Sequence, residues 1–281
     1  MEWRVDTSGF GGIFSGLEQL TYNDVSSSAD LAATAELAYL DRSRRPRLMS
    51  VTPLVERGNP AFTLAYDELE LAREVAVSPE VCLVFSDSRL AYAGWNPLSV
   101  TARAVPYEDR EGDEFLDLFL EQELRKYPPS RQYLDSLMLR RESWWYTPRL
   151  IFRLEDFGEP RPIGRRRGPE DGVLAAASES GLAAMTVAVD DWEAERLSVR
   201  PLEGGATTLS GPAALYFHDF SVPDMEQRAS CLISGTLADD RLAVRDREGT
   251  RELPPRPGLL GRLKGQRRLK KGCAAGLETG F

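Results

Sequence analysis

Apolar and polar positions change period several times along this chain. After the polar stretch Asn23 to Ser28, which offers several helix N-caps, Leu31, Thr34, Ala35, Ala38 and Tyr39 fall at helical spacing. This pattern predicts a helix from about Ala29 to Leu40, ended by the polar cluster Asp41 to Arg45. The period then shortens. Leu48 to Val55 reads as a strand, Arg57-Gly58-Asn59-Pro60 as a turn and Ala61 to Tyr66 as a second strand, so the two form a hairpin. From Asp67 the text DELELAREVAVSPE carries helix formers, an acidic first turn suited to the helix dipole, and a stop at Ser78-Pro79. The apolar run Val81-Cys82-Leu83-Val84-Phe85 is short enough for a buried strand, and Leu90–Trp95 and Leu98–Tyr107 are further strand candidates.

Between Asp113 and Lys126 the residues Phe115, Leu116, Phe119, Leu120 and Leu124 share one face, with acids early and Arg125-Lys126 at the end, which predicts an amphipathic helix. Pro128-Pro129-Ser130 breaks it and caps another over about Arg131 to Arg141, after which Trp144 to Leu154 returns to an extended pattern. Residues Asp156 to Gly172 hold four glycines, three prolines and the run Arg165-Arg166-Arg167, which is linker chemistry with a solvated charge run. The expected organisation is an N-terminal arm over 1–28, a β-rich domain over 29–155, a linker over 156–172, a second β-rich domain over 173–250 and a basic C-terminal segment over 251–281.

The second half echoes the first. Met185-Thr186-Val187 parallels Met49-Ser50-Val51 at an offset of 136 residues, Leu215 to Asp219 parallels Leu83 to Asp87 at 132, and Leu232 to Thr236 parallels Ser99 to Arg103 at 133. Three matches in one order at nearly constant spacing point to a duplicated unit. The helix of the first unit has no counterpart. Gly204 to Pro212, loop text rich in glycine and hydroxyls, stands in its place.

Composition narrows the function classes. With 42% hydrophobic residues, 281 residues are enough for one large core or two smaller ones. Pro254 to Leu277 holds seven Lys or Arg and no acid, so the formal −9 of the chain divides into +7 there and −16 elsewhere. That balance argues against a nucleic-acid binder, and glycines within the basic segment make it a poor amphipathic helix. No apolar run approaches the roughly 20 residues that span a bilayer. The first residues lack the pattern of a secretory signal, so a cytoplasmic protein is the expectation. Cys82, Cys231 and Cys273 are widely spaced and suggest neither a disulfide framework nor a metal site. His218, the sole histidine, suits a structural role, a proton donor or an axial ligand. No catalytic set can be read from it.

The texts RPRLMSVTPL, LAREVAVSPEVCLVF and LSVTARAVPYED, in the order hairpin, short helix ending in Ser-Pro, buried strand, two strands and long helix, resemble the FMN-binding split β-barrel proteins related to pyridoxamine-5′-phosphate oxidase. The resemblance covers about residues 30–155. It implies an α+β fold of β-barrels with helices, here a tandem split β-barrel whose second copy is degenerate. It also implies FMN held between barrels, in a homodimer or an internal pseudo-dimer. By position it places Arg47, Ser50 and Thr52 at the FMN phosphate, and Trp95 or Trp144 against the flavin ring. One element departs from the family's pattern. Asp67, Glu68 and Glu70 stand where relatives carry basic or hydroxyl groups, and carboxylates repel a phosphate. The implied function is an FMN-dependent oxidoreductase acting on an unknown substrate. The alternatives are a non-catalytic binding or assembly protein that has lost the cofactor, or a barrel that binds a deazaflavin or haem.

Overall fold

The computed structural model describes residues 20–87, 96–179 and 181–281. Residues 1–19 of the expected arm, the strand expected over Leu90–Trp95 and the candidate Trp95 lie outside the described residues. The chain enters through helix α1 (Tyr22–Leu31), whose first turn is closed by Asp24 accepting from the Thr21 backbone N–H at 2.7 Å and hydroxyl at 2.8 Å. The helix expected over 29–40 is not formed: α1 ends at Leu31, and Ala35–Leu40 is strand β1. All six β1 residues are buried, Ala35, Leu37 and Tyr39 in one apolar cluster and Ala38 and Leu40 in another. A strand covered on both faces has no apolar–polar alternation, so periodicity could not identify it.

Strands β2 (Pro46–Val51), β3 (Leu54–Glu56) and β4 (Asn59–Leu64) follow. β3 and β4 make the expected hairpin, turning at Arg57 and Gly58 with φ of 50° and 88°. Helix α2 (Leu69–Ala76) and strands β5 (Val81–Phe85) and β6 (Leu98–Asp109) then run as the sequence predicts. The helical path over 113–126 contains a wide turn at Phe115–Phe119 before α3 (Leu120–Lys126). The next expected helix is split into α4 (Arg131–Leu134) and α5 (Leu137–Glu142). Trp144 sits in a single 3₁₀ turn, not on a strand, and β7 begins at Arg149 and runs to Glu155.

After the short β8 (Arg161–Pro162), a second set of strands comprises β9 (Asp171–Ser178), β10 (Gly181–Val189), β11 (Arg196–Pro201), β12 (Gly211–Phe220), β13 (Arg228–Ala238) and β14 (Arg241–Thr250). They close into a six-stranded barrel. The order β2-β1-β5-β6-β7-β4 of the first sheet is the order β10-β9-β12-β13-β14-β11 of the second. The three sequence parallels fall on the matched strands β2/β10, β5/β12 and β6/β13. In the second unit, β11 pairs with β10 to close the circle. In the first, β3 takes that place beside β4 after a two-residue break in the edge strand at Thr52-Pro53. No helix lies between β11 and β12.

The barrels meet through matched strands. β2 touches β12 as β10 touches β5, β1 touches β10 as β9 touches β2, and β2 touches β13 as β10 touches β6. Such reciprocity is the signature of an isologous, two-fold interface, here within one chain. Ala38, Leu48 and Val84 from the first unit pack there on Ala175, Ala184 and Tyr216 from the second.

The basic segment corrects its sequence reading. Leu259–Thr279 is a 21-residue helix, α6, whose C-terminal half lies against the turn Tyr66–Glu68 that leads into α2. Gly272 and Gly276 allow that approach: a Cβ on Gly276 would lie 2.1 Å from the Tyr66 carbonyl oxygen, and one on Gly272 2.7 Å from Asp67 Cβ. Among the described residues, no helix is long and apolar enough to cross a membrane.

Candidate functional site

Two polar regions lie where the barrels meet. The first is buried in the seam. Glu36, the second residue of β1, accepts at Oε1 from Ser86 Oγ at 2.5 Å, Arg166 Nη1 at 2.8 Å and His218 Nε2 at 2.7 Å. Arg166 also donates through Nη2 to the His218 carbonyl at 3.0 Å, and its backbone N–H to the Ser86 carbonyl at 3.1 Å. Arg166 is buried, so the expected solvated run over 165–167 is corrected at its centre. The guanidinium neutralises a carboxylate that the fold has removed from water. Ser86 and His218 hold corresponding positions in the two sequence copies, and both donate to the same oxygen.

The protonation pattern follows from these contacts. Burial alone would raise Glu36, but the hydrogen bond from His218, the Arg166 charge and the Ser86 hydroxyl together hold its carboxyl below the ordinary range. Burial, then the Arg166 charge, lowers His218. The imidazole is therefore neutral at pH 7. The hydrogen-bond network assigns the proton to Nε2 and leaves Nδ1 as an acceptor. The His218 ring lies between Tyr216 and Phe220, at centroid distances of 5.7 and 6.1 Å. A cavity of about 240 Å³ is lined by Asp87, Arg166, Arg167, Phe217 and His218. Another, of about 230 Å³, is lined by Thr34, Ser50, His218 and Arg228. Among the described residues, Thr34 Oγ1, Glu36 Oε2 and Arg166 Nε are buried with no hydrogen-bond partner.

The second region is the corner between β2 and α2. Ser50 and Thr52 line a cavity of about 230 Å³ there, with Asp67, Glu68, Arg149 and Arg228. Arg149 is buried, with its guanidinium 4.2 Å from the ring centroids of both Phe115 and Tyr146. Burial raises Asp67 and Glu123. Burial and then the Asp67 charge push Glu68 up to about 7, an effect that the solvent access of its side chain screens. Glu70 pairs instead with Arg73 on α2, at 2.7 Å. Arg47 does not face the cavity: its two terminal nitrogens meet both carboxylate oxygens of Glu248 on β14, at 2.5 and 2.8 Å. Trp144 is 57% exposed and lines none of the three cavities. Of the residues assigned by resemblance, the structure brings Ser50 and Thr52 together, and places Arg47 and Trp144 elsewhere.

The cavity at the corner sets the cations Arg149 and Arg228 and the hydroxyls of Ser50 and Thr52 beside two acids, and lacks the Arg47 contact that the resemblance implies. Arg47 is held by Glu248, Asp67 and Glu68 line the wall, and α6 packs over the turn that begins α2. Sequence reasoning missed Glu36, Ser86, Arg166 and Thr34. One signal was present for Glu36, a single acid inside the run Ala35 to Leu40.

The protein is thus an α+β protein of the tandem split β-barrel kind. No protein-family model matches the chain, and no curated protein matches it. Among solved structures, it is similar to HutZ, the haem storage protein from Vibrio cholerae, at 16% identity over 49% of this chain and 92% of that one, with a TM-score of 0.33. It is also similar to a haem-binding protein from Mycobacterium smegmatis, at 14% identity over 61% and 89% with a TM-score of 0.34. An FMN-binding protein from Syntrophomonas wolfei is 12% identical over 52% and 86%, with a TM-score of 0.31. At these scores the likenesses carry no conclusion about the ligand of this chain.

Proposed function

We propose that this chain is a single-chain pseudo-dimer of split barrels that binds a planar, hydrogen-bonding ring ligand in the seam beside His218, not at the corner of β2. The observation that carries this reading is the set of buried atoms with no hydrogen-bond partner among the described residues: Arg166 Nε and Thr34 Oγ1, whose residues line the two cavities that share His218, and Oε2 of Glu36, which is bonded to His218 and Arg166. Buried polar groups are almost always paired, so three orphans in one region favour a ligand with donors and acceptors. A flavin, the ligand class that the sequence resemblance implies, offers both on its pyrimidine edge. Arg166 and His218 would hold it, and a bound flavin would supply the redox chemistry while the protein orients it. The reading names no substrate.

Absorption spectroscopy tests this directly. The purified protein, incubated with FMN and separately with haem, is expected to retain one chromophore after desalting, and His218→Ala to lose at least about tenfold in affinity, the worth of a buried hydrogen bond. Arg47→Ala is expected to leave affinity unchanged. If neither chromophore is retained, the seam reading fails. Weakening by Arg47→Ala with none by His218→Ala would return the site to β2.

A second reading has its own observation. Arg47 bound to Glu248, together with α6 packed on the first barrel, uses the corner for internal assembly. A colourless protein that takes up no chromophore would favour this non-catalytic binding or assembly role.

A further inference from the structure

The two halves of α6 differ in kind. From Leu269 onward the helix is anchored, with Cys273 and Gly276 buried against the first barrel. From Leu259 to Arg268 every residue is exposed, and Leu259, Leu260 and Leu263 are 81%, 83% and 51% accessible. A solvated helix does not normally present three such leucines together.

At about 100° per residue, Leu259, Lys270, Leu263, Arg267, Leu260, Lys271 and Lys264 fall in that angular order within about 140° of arc. The anchoring residues Leu269, Cys273 and Gly276 lie outside this arc. The free face therefore combines three leucines at one end with four cations that flank and continue them over roughly 18 Å. Among the described residues, Arg262 alone of the helix's cations forms an ion pair, at 2.9 Å with Glu226. No acid occurs between Pro254 and Leu277, whereas the remainder of the chain carries a formal −16. An anionic surface would repel the barrels and attract this face, which fixes the orientation of approach.

We propose that the exposed face of α6 docks the protein onto an anionic lipid surface, inserting Leu259, Leu260 and Leu263 of the free half at the level of the headgroups while Lys264 and Arg267, with the exposed Lys270 and Lys271 of the next turn, pair with lipid phosphates. An apolar cluster beside unpaired cations matches an interfacial helix. A nucleic acid would use the cations but leave the leucines in water, and the helix has no aromatic side chain to stack on bases. Gly261 and Gly265 weaken the free half in water, so a surface that buries one face would order it. The proposal is independent of the ligand reading at the seam.

The test is co-sedimentation of the full chain with vesicles of phosphatidylcholine alone and of phosphatidylcholine mixed with phosphatidylglycerol. Binding is expected only to the anionic vesicles, to weaken with added salt, and to fall at least about tenfold in the triple variant Leu259→Ser, Leu260→Ser, Leu263→Ser. Those leucines belong to the free half, and an unchanged melting temperature in the variant would show that the fold survives. A second variant, Lys264→Gln with Lys271→Gln, is expected to weaken binding without touching the leucines. No binding to anionic vesicles, equal binding to both compositions, or serine variants that bind as wild type would each overturn the proposal. Tight binding to a duplex RNA, insensitive to the leucine changes and without vesicle binding, would assign the face to nucleic acid instead.

Discussion

Glu36 and Glu68 both stand near the junction of the two barrels, and their acidities move in opposite directions. Glu36 is completely buried, yet its carboxyl lies below the ordinary range, because three donors converge on one oxygen. Glu68 has an exposed side chain, and the push of its carboxyl up to about 7, from packing around the carboxyl and the Asp67 carboxylate, is screened by that exposure. The difference teaches that donors to the charged form, not depth alone, decide whether a carboxylate tolerates an interior. It also separates a region organised around one buried charge from one where two acids share a cavity with Arg149 and Arg228.

The largest test of this contrast is removal of the buried acid. Glu36→Ala leaves Arg166 without its carboxylate partner and is expected to cost about 3–5 kcal/mol in urea denaturation. A cost under about 1 kcal/mol would show that the seam does not depend on the pair. Next is Gly276→Ala, whose Cβ meets the Tyr66 carbonyl oxygen at 2.1 Å and must displace α6 or the turn beneath it. The expected cost is about 1–3 kcal/mol, with faster proteolysis of α6.

The pH dependences of the two regions have opposite signs. The lowered Glu36 value means that its contribution is present above the unfolded carboxyl value of about 4.3 and is lost as pH falls through the folded one. Neutral His218 adds to this loss below about 6.5, where an unfolded histidine gains its proton. The raised Glu68 value acts the other way: its contribution is present in acid and lost as pH rises through about 7. Glu68→Gln should therefore raise the melting temperature at pH 8 relative to wild type, and leave it nearly unchanged only below the unfolded value of about 4.3. The smallest effect is expected for Arg47→Ala, since Arg47 and Glu248 form a partly exposed pair worth under about 1 kcal/mol. A double-mutant cycle with Glu248→Ala measures that pair alone.

Much of this contrast was written in the chain, though not all in legible form. The hairpin turn at Arg57-Gly58, helix α2, and strands β5 and β6 follow from local pattern, because each satisfies its own turn chemistry or periodicity. The parallels between 49–103 and 185–236 fall on strands that occupy matched places in the two sheets. The acids Asp67 and Glu68 at the corner were legible before any distance was known, whereas Arg149 and Arg228, which line the same cavity, were not.

By itself, then, the sequence determined the β-rich units, the echo between them and the acids of the corner, because these reside in residue type and spacing along the chain. Tertiary structure alone decided the rest. β1 could not be told from a helix, since burial on both faces erases its alternation. Arg166 could not be taken out of its apparent linker until Glu36, 130 residues away, supplied a buried counter-charge. Nor could Gly272 and Gly276 be read as anything but helix-weakening until the Tyr66–Glu68 turn lay beneath them. In each case the deciding partner is remote in sequence, and the energy of burial or pairing exists only when the fold brings both members together.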